Sequence, residues 1–153
     1  MNKLNEKQKD DLFYVCSLIE YISRATCNYR KDIITYFPKD IIEQQLKLAE
    51  VNHCLSFGQV SDELIEKLNI KNGTFNSIKL CKYETPSVTS VGRVFQRLIL
   101  EVYEKNTGKS LSETIIDVFS SFISDEISNF NSAVYYANPS YLLCSYEEGK
   151  LSA

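Results

Sequence analysis

Between residues 87 and 105, Val91, Val94, Phe95, Leu98, Ile99 and Val102 fall three and four residues apart. That period gathers side chains onto one stripe of an α-helix, whereas a strand would scatter them over both faces. An amphipathic rod of this kind is marginal alone and must bury its stripe against other helices. The same period recurs along the chain. Leu12, Val15, Cys16, Ile19 and Ile22 predict a helix over about 5–26 with a polar opposite face. Ile42, Leu46, Ala49 and His53 predict one over 38–57, and Leu64, Ile65 and Leu68 a shorter one over 61–70. Ile115, Phe119, Phe122, Ile123, Ile127 and Phe130 predict a last long helix over 111–130. With 5 Gly and 3 Pro in 153 residues, few turns remain for an all-β fold. The expected fold class is therefore all-α: a compact bundle of six or seven helices forming one domain over 1–153. A chain of this length removes roughly 70% of its extended surface from water on folding, so it needs no metal or disulfide.

Polar residues punctuate these helices. Asn28 is placed to cap a short helix over 29–37 that Pro38 stops, Gly58 to end the third helix, and Ser61 to cap the fourth. Asn138, Pro139 and Gly149 read as cap, first helical position and stop of a final helix. The stretch "NTGKSL" (106–111) ends like half of a phosphate-binding loop. The full motif needs glycine at position 103, where Tyr103 stands, and a preceding strand, where a helix is predicted. Gly108 and Asn106 instead read as the end of one helix, and Ser110 with Glu113 as the capping box of the next. The segment "TFNSIKLCKY" (74–83) suits a short helix capped by Thr74 or a short strand.

Charge divides unevenly. Residues 1–110 carry 16 Lys+Arg against 14 Asp+Glu, and residues 111–153 carry 1 against 6. Neither part is a basic tract, and the acidic last third would repel phosphate backbones. The five cysteines are odd in number and lack a C-x-x-C pair, which suits reduced thiols. Cys16, Cys54 and Cys144 sit among apolar neighbours, where cysteine packs as a small hydrophobe. Ser17, Glu20 and Ser23 interrupt the first apolar stretch as a signal peptide, and no run suffices for a membrane span. The expected location is cytoplasmic.

No residue pattern assigns catalytic, cofactor or metal roles. His53 is the sole histidine and adjoins Cys54, but helix neighbours point about 100° apart, so a core histidine is the plainer reading. Zinc would need four Cys or His in close pairs. The adjacent carboxylates Asp62-Glu63, Asp125-Glu126 and Glu147-Glu148 read as solvated helix charges. "SDELIEKLNIKNGTFNSI" (61–78) has the layout of a helix-turn-helix, with Phe75 and Ile78 inward. Ile65 replaces the usual small residue, and Asn69 stands where glycine commonly opens the turn. In that reading Thr74, Asn76, Ser77 and Lys79 would meet the major groove of DNA, with Lys71 and Lys82 near phosphates. Protein binding has its own candidates. Arg93 and Arg97 lie one turn apart on the polar side of the strongest helix, and Tyr135, Tyr136, Tyr141 and Tyr146 crowd into twelve residues. Arginine and tyrosine are the residue types that anchor interfaces.

The stretches "CSLIEYISR" (16–24), "AEVNHC" (49–54), "VSDELIEKLNI" (60–70), "SVGRVFQRLI" (90–99) and "NSAVYYANPSYLLCSY" (131–146) resemble a family of small helical proteins of gut Firmicutes. That family is found in a short gene cluster beside an ADP-ribosyltransferase-like toxin, an arrangement similar to a toxin-antitoxin module. "RKDIITYFPKDIIEQQLKLAEVNHC" (30–54) also resembles the cluster's small helical partner. The resemblance implies a non-enzymatic antitoxin or accessory subunit that covers or positions the toxin, and it carries over no site residues. The alternative is a helix-turn-helix DNA-binding regulator, as a monomer or a homodimer.

Overall fold

The structure is a computed structural model that describes residues 3–152. Among these residues are nine helices and no strand. They are α1 (Glu6–Thr26), α2 (Arg30–Ile34), α3 (Lys39–Asn52), α4 (Phe57–Leu68), α5 (Ser77–Leu80), α6 (Val88–Lys105), α7 (Leu111–Ser120), α8 (Phe122–Ser128) and α9 (Pro139–Glu148). The all-α class stands, but nine helices exceed the six or seven expected. One reason is that the segment after the "KNG" turn makes only a single turn, α5. Another is that the predicted 111–130 helix breaks at Ser121, whose backbone is extended and whose hydroxyl donates to Val118 O at 2.6 Å. Consecutive serines compete with the helix ladder for backbone partners, so the break falls where Ser120 and Ser121 adjoin.

Two of the cap assignments hold. Ser110 and Glu113 form a reciprocal capping box at α7, and Asn138, Pro139 and left-handed Gly149 bound α9. The Gly-Lys-Ser stretch is thus helix punctuation. Other boundaries differ. Gly58 lies inside the first turn of α4, which Ser56 caps together with Gln59, and Ser61 is buried in mid-helix. Asn76, in place of Thr74, caps α5. Asn28 leaves the α2 terminus uncapped and donates instead to Thr26 Oγ1 and Lys71 O, both at 2.8 Å.

Helices α1 and α6 form the centre and run antiparallel. Arg24 at the end of α1 donates to Pro86 O at 2.7 Å, just before α6, while Gln96 donates to Lys9 O at 2.8 Å near the start of α1. Between these ties Gly92 rests on Ser17, where any Cβ would overlap the serine Oγ. Helices α2, α3 and α4 also pack on α1, and α9 packs on α6. Phe95 of α6 stacks on Phe119 of α7 with centroids 4.5 Å apart. Each fully buried aromatic such as Phe37, Phe95 or Phe119 contributes roughly 1.5–3 kcal/mol through lost apolar exposure.

So many neighbours surround α1 that its expected polar face is buried too: Ser17, Glu20 and Ser23 are all inside. Glu20 accepts from Arg24 Nε at 2.6 Å and from Arg30 Nε at 2.7 Å. Arg30 also donates to Ser124 O at 2.9 Å and Ser128 Oγ at 2.7 Å, and lies over the Phe95 ring at 4.7 Å. One buried carboxylate thereby joins α1, α2 and α8 beneath α6. The acidic last third is also reshaped. Glu113, Asp117, Asp125 and Glu147 pair with Lys39, Lys109, Lys31 and Lys105, all from the first 110 residues. Folding therefore offsets four of the six acidic side chains of the last third with ion pairs to lysines.

Candidate functional site

The first half of α1 places Asp10, Phe13 and Tyr14 within one helical turn, so they share a face. Tyr14 and Tyr21 each stack on Phe57 of α4, at 5.4 and 5.8 Å. Capping of α4 by Ser56 sets Phe57 at its first position, which delivers the ring to α1. The end of α3 stands opposite with Ala49, Glu50 and His53. Together with Lys7, Leu55 and Arg93 these residues line a groove of about 690 Å³.

Its floor is aromatic and aliphatic, and its rim is charged. Lys7 bridges the helices, with its ammonium 3.0 Å from Asp11 and 3.5 Å from Glu50, and the carboxylates hold its pKa above the usual lysine value. Arg93 lies over the Phe13 ring at 4.0 Å and donates to Gln96 Oε1 at 2.6 Å. Gln96 is buried and spends its amide nitrogen on Lys9 O, so both ends of this amide hold the rim in place. Tyr14 is 7% exposed, and its Oη has no hydrogen-bond partner among the described residues. Burial pushes the Tyr14 phenol up from its ordinary value.

His53 is not the core histidine expected. It caps the C-terminus of α3 in the open, with Nδ1 2.6 Å from Glu50 O, because α3 stops five residues before the predicted end. Cys54 Sγ is 3.8 Å from the same nitrogen. Among the described residues no group of three His, Cys, Asp or Glu could hold a metal ion. Cys16 is buried, but Cys54 and Cys144 are exposed, contrary to their apolar sequence surroundings. Val51 and Leu55 remain 66% and 42% exposed beside the groove, which leaves an apolar ledge at the end of α3.

The two arginines expected at an interface part company. Arg93 belongs to this groove, while Arg97, one turn on, lines a separate hollow of about 200 Å³ with Tyr135 and Tyr136. Tyr135 packs edge-on against Phe130 and Tyr136 at 5.5 and 4.8 Å. Tyr136 is 64% exposed and shares an adjoining hollow with Tyr141. Tyr146 lies apart, half-buried near Asp117 and Lys109.

The DNA candidates lie on a segment tied to the protein through its backbone. Gly73 N donates to Thr26 O at 2.8 Å, Phe75 N to Cys27 O at 2.9 Å, and Lys82 N to Asn131 Oδ1 at 2.7 Å. Phe75 stacks on Tyr29 at 3.9 Å, as an inward residue would, but Ile78 is 50% exposed. Asn69 opens the turn in the left-handed conformation that asparagine tolerates. The second helix has only four residues, Ser77–Leu80. Thr74, Lys79 and Lys82 are exposed, Asn76 is spent on the cap, Ser77 lines a small hollow beside Tyr29, and Lys71 bonds Asn69 at 3.4 Å.

The sequence reading missed Lys7, Asp10, Phe13, Tyr14 and Glu50 as a group. Asp10, Phe13 and Tyr14 carried a signal in their three- and four-residue spacing, while nothing in the sequence brings Glu50 and Arg93 to them. No helix among the described residues is long and apolar enough to cross a membrane. Compared with family models, with curated proteins and with solved structures, the chain matches none.

Proposed function

We propose that this chain is a non-enzymatic protein-interaction component that seats its partner at the groove between α1, α3 and α4. The observation that carries the reading is Arg93, laid on Phe13 and fixed by Gln96 at the mouth of a largely apolar groove. Pre-positioned arginine and aromatic residues around an apolar concavity are what interfaces use as anchors, because little side-chain entropy remains to be lost on binding. The exposed Val51 and Leu55 extend that surface. The resemblance to proteins found beside an ADP-ribosyltransferase-like toxin supplies the class of partner. In that setting the chain acts in the bacterial cytoplasm as an antitoxin or accessory subunit.

Co-purification with that transferase-like protein at micromolar concentration, followed by sedimentation, tests the proposal. A stoichiometric complex lost in Arg93→Glu supports it, and separate species at that concentration overturn it. The second reading, a DNA-binding regulator with its hairpin at 61–78, draws on Lys71, Lys79 and Lys82, which have no carboxylate in salt-bridging range among the described residues. Titration with duplex DNA at two salt concentrations separates the two readings, since phosphate-driven binding falls steeply with salt.

A further inference from the structure

We propose that the groove receives a basic side chain, arginine or lysine, from the protein partner, with its methylene stem on the aromatic floor and its cationic head among the rim carboxylates. The inference rests on the protein-interaction reading and specifies what the partner must present. Charge makes the first argument. The lining holds three carboxylates, Asp10, Asp11 and Glu50, against two cations, Lys7 and Arg93. Lys7 is shared between Asp11 and Glu50, and the Asp10 carboxylate has no ion-pair or side-chain hydrogen-bond partner among the described residues. Glu50 is 68% exposed and only 3.5 Å from Lys7, so it can turn toward a second cation.

Shape and chemistry make the second. A volume of about 690 Å³ falls within the range of roughly 300–1,000 Å³ typical of ligand pockets, ample for one long side chain and its neighbours. Phe13, Tyr14, Ala49, Leu55 and Phe57 supply apolar surface below charged atoms. That layering suits lysine and arginine, which bury an aliphatic stem while the head stays at a polar edge. The groove's own cations already use both kinds of partner: Lys7 lies between Asp11 and Glu50, and the Arg93 guanidinium lies on the Phe13 face.

Tyr14 makes the third. Its side chain is more than nine-tenths buried, lines the groove, and carries a hydroxyl without a partner among the described residues. A buried hydroxyl left unpaired is costly, and an entering N–H group that displaces the groove wall far enough to reach this Oη, itself closed to solvent, relieves that cost. An acidic side chain would also find Arg93 and could accept from the Tyr14 hydroxyl, but it would have to enter a lining that holds three carboxylates against two cations.

The full-length chain, labelled for amide NMR, would be titrated with N-acetyl-Leu-Arg-Leu amide and with its Leu-Glu-Leu and Leu-Leu-Leu counterparts. The arginine peptide is expected to give saturating shifts confined to residues 7–14, 49–57 and 93, at an affinity of about 1 mM. Asp10→Asn with Glu50→Gln should weaken it about tenfold, and Tyr14→Phe about threefold, as expected for lost pairing with ionised carboxylates and a lost hydrogen bond to an uncharged hydroxyl. Both carboxylates are at the surface, so the double variant should keep the wild-type spectrum elsewhere. Equal or tighter binding of the glutamate peptide, unchanged binding to the double variant, shifts elsewhere, or no saturation would each overturn the proposal. If the protein partner still co-purifies with the double variant at full affinity, the basic-side-chain inference fails and the interaction reading survives. Loss of co-purification from the wild-type chain removes both.

Discussion

Arg30 and Arg93 make the same contact in opposite settings. Each guanidinium lies over a phenylalanine ring, Arg30 over Phe95 at 4.7 Å and Arg93 over Phe13 at 4.0 Å, and each is within reach of the α1–α6 pair. Arg30 is 2% exposed and bound to Glu20, Ser124 and Ser128, so its Nε and Nη1 are both answered inside the molecule. Arg93 is exposed, is held by one amide, and has no carboxylate in salt-bridging range among the described residues. A buried charge must be fully paired because leaving it unpaired costs several kcal/mol. An exposed one can stay unsatisfied because water screens it. Arg30 therefore belongs to the architecture, and Arg93 is available to a partner.

The largest expected break is at the buried end. Glu20→Ala leaves two arginines without their carboxylate and should cost about 3–5 kcal/mol, read as a lower urea midpoint. If the unfolding free energy falls by less than about 1 kcal/mol, the buried cluster is not what separates the two ends. Next comes Gly92→Ala, where the added methyl meets Ser17 at the α1–α6 crossing. A loss of about 1–3 kcal/mol is expected, with Ser17→Ala in the same chain recovering part of it in a double-mutant cycle.

A pH titration sharpens the contrast further. Burial pushes up the Cys16 thiol and the Tyr14, Tyr135 and Tyr146 phenols. A raised folded-state value means that the folded protein holds these protons more tightly. Their stabilising contribution is therefore complete below the ordinary values of 9.0 and 10.0, and it is lost as pH climbs toward the raised ones. Urea midpoints measured from pH 8 upward should fall above those values, and less steeply in Cys16→Ala. A midpoint that stays flat through this range would contradict the burial argument. The smallest effect on stability belongs to Arg93→Ala, about 0.5–1 kcal/mol for an exposed cation over a ring, although it should abolish partner binding. A large loss of stability there would make Arg93 as structural as Arg30.

Much of this fold could be read before any coordinates. The stripe of Val91, Phe95, Leu98 and Ile99 is buried as its spacing requires, and Ser110 with Glu113 caps α7 because both partners lie within one turn. Local signals failed where two equal candidates competed. Ser56 and Ser61 both precede helical residues, and the one backed by Gln59 became the cap. Gly58 and His53 were misplaced for a different reason: α3 stops early, which puts Gly58 inside α4 and turns His53 from a helix-interior residue into the C-cap. The candidate site was legible only in part. Arg93 and the tyrosines stood out by residue type, but the groove needed α1, α3 and α4 to meet.

The sequence by itself determined that the chain is helical, where its longest amphipathic faces lie, and which short motifs cap them, because these depend on residues three or four positions apart. Tertiary structure alone decided that Glu20 would be buried between two arginines, that the acidic last third would be covered by lysines from elsewhere, and that Arg93 and not Arg97 would face Phe13. Those outcomes depend on which helix lies against which, and electrostatic energy follows distance and burial in space, not separation along the chain.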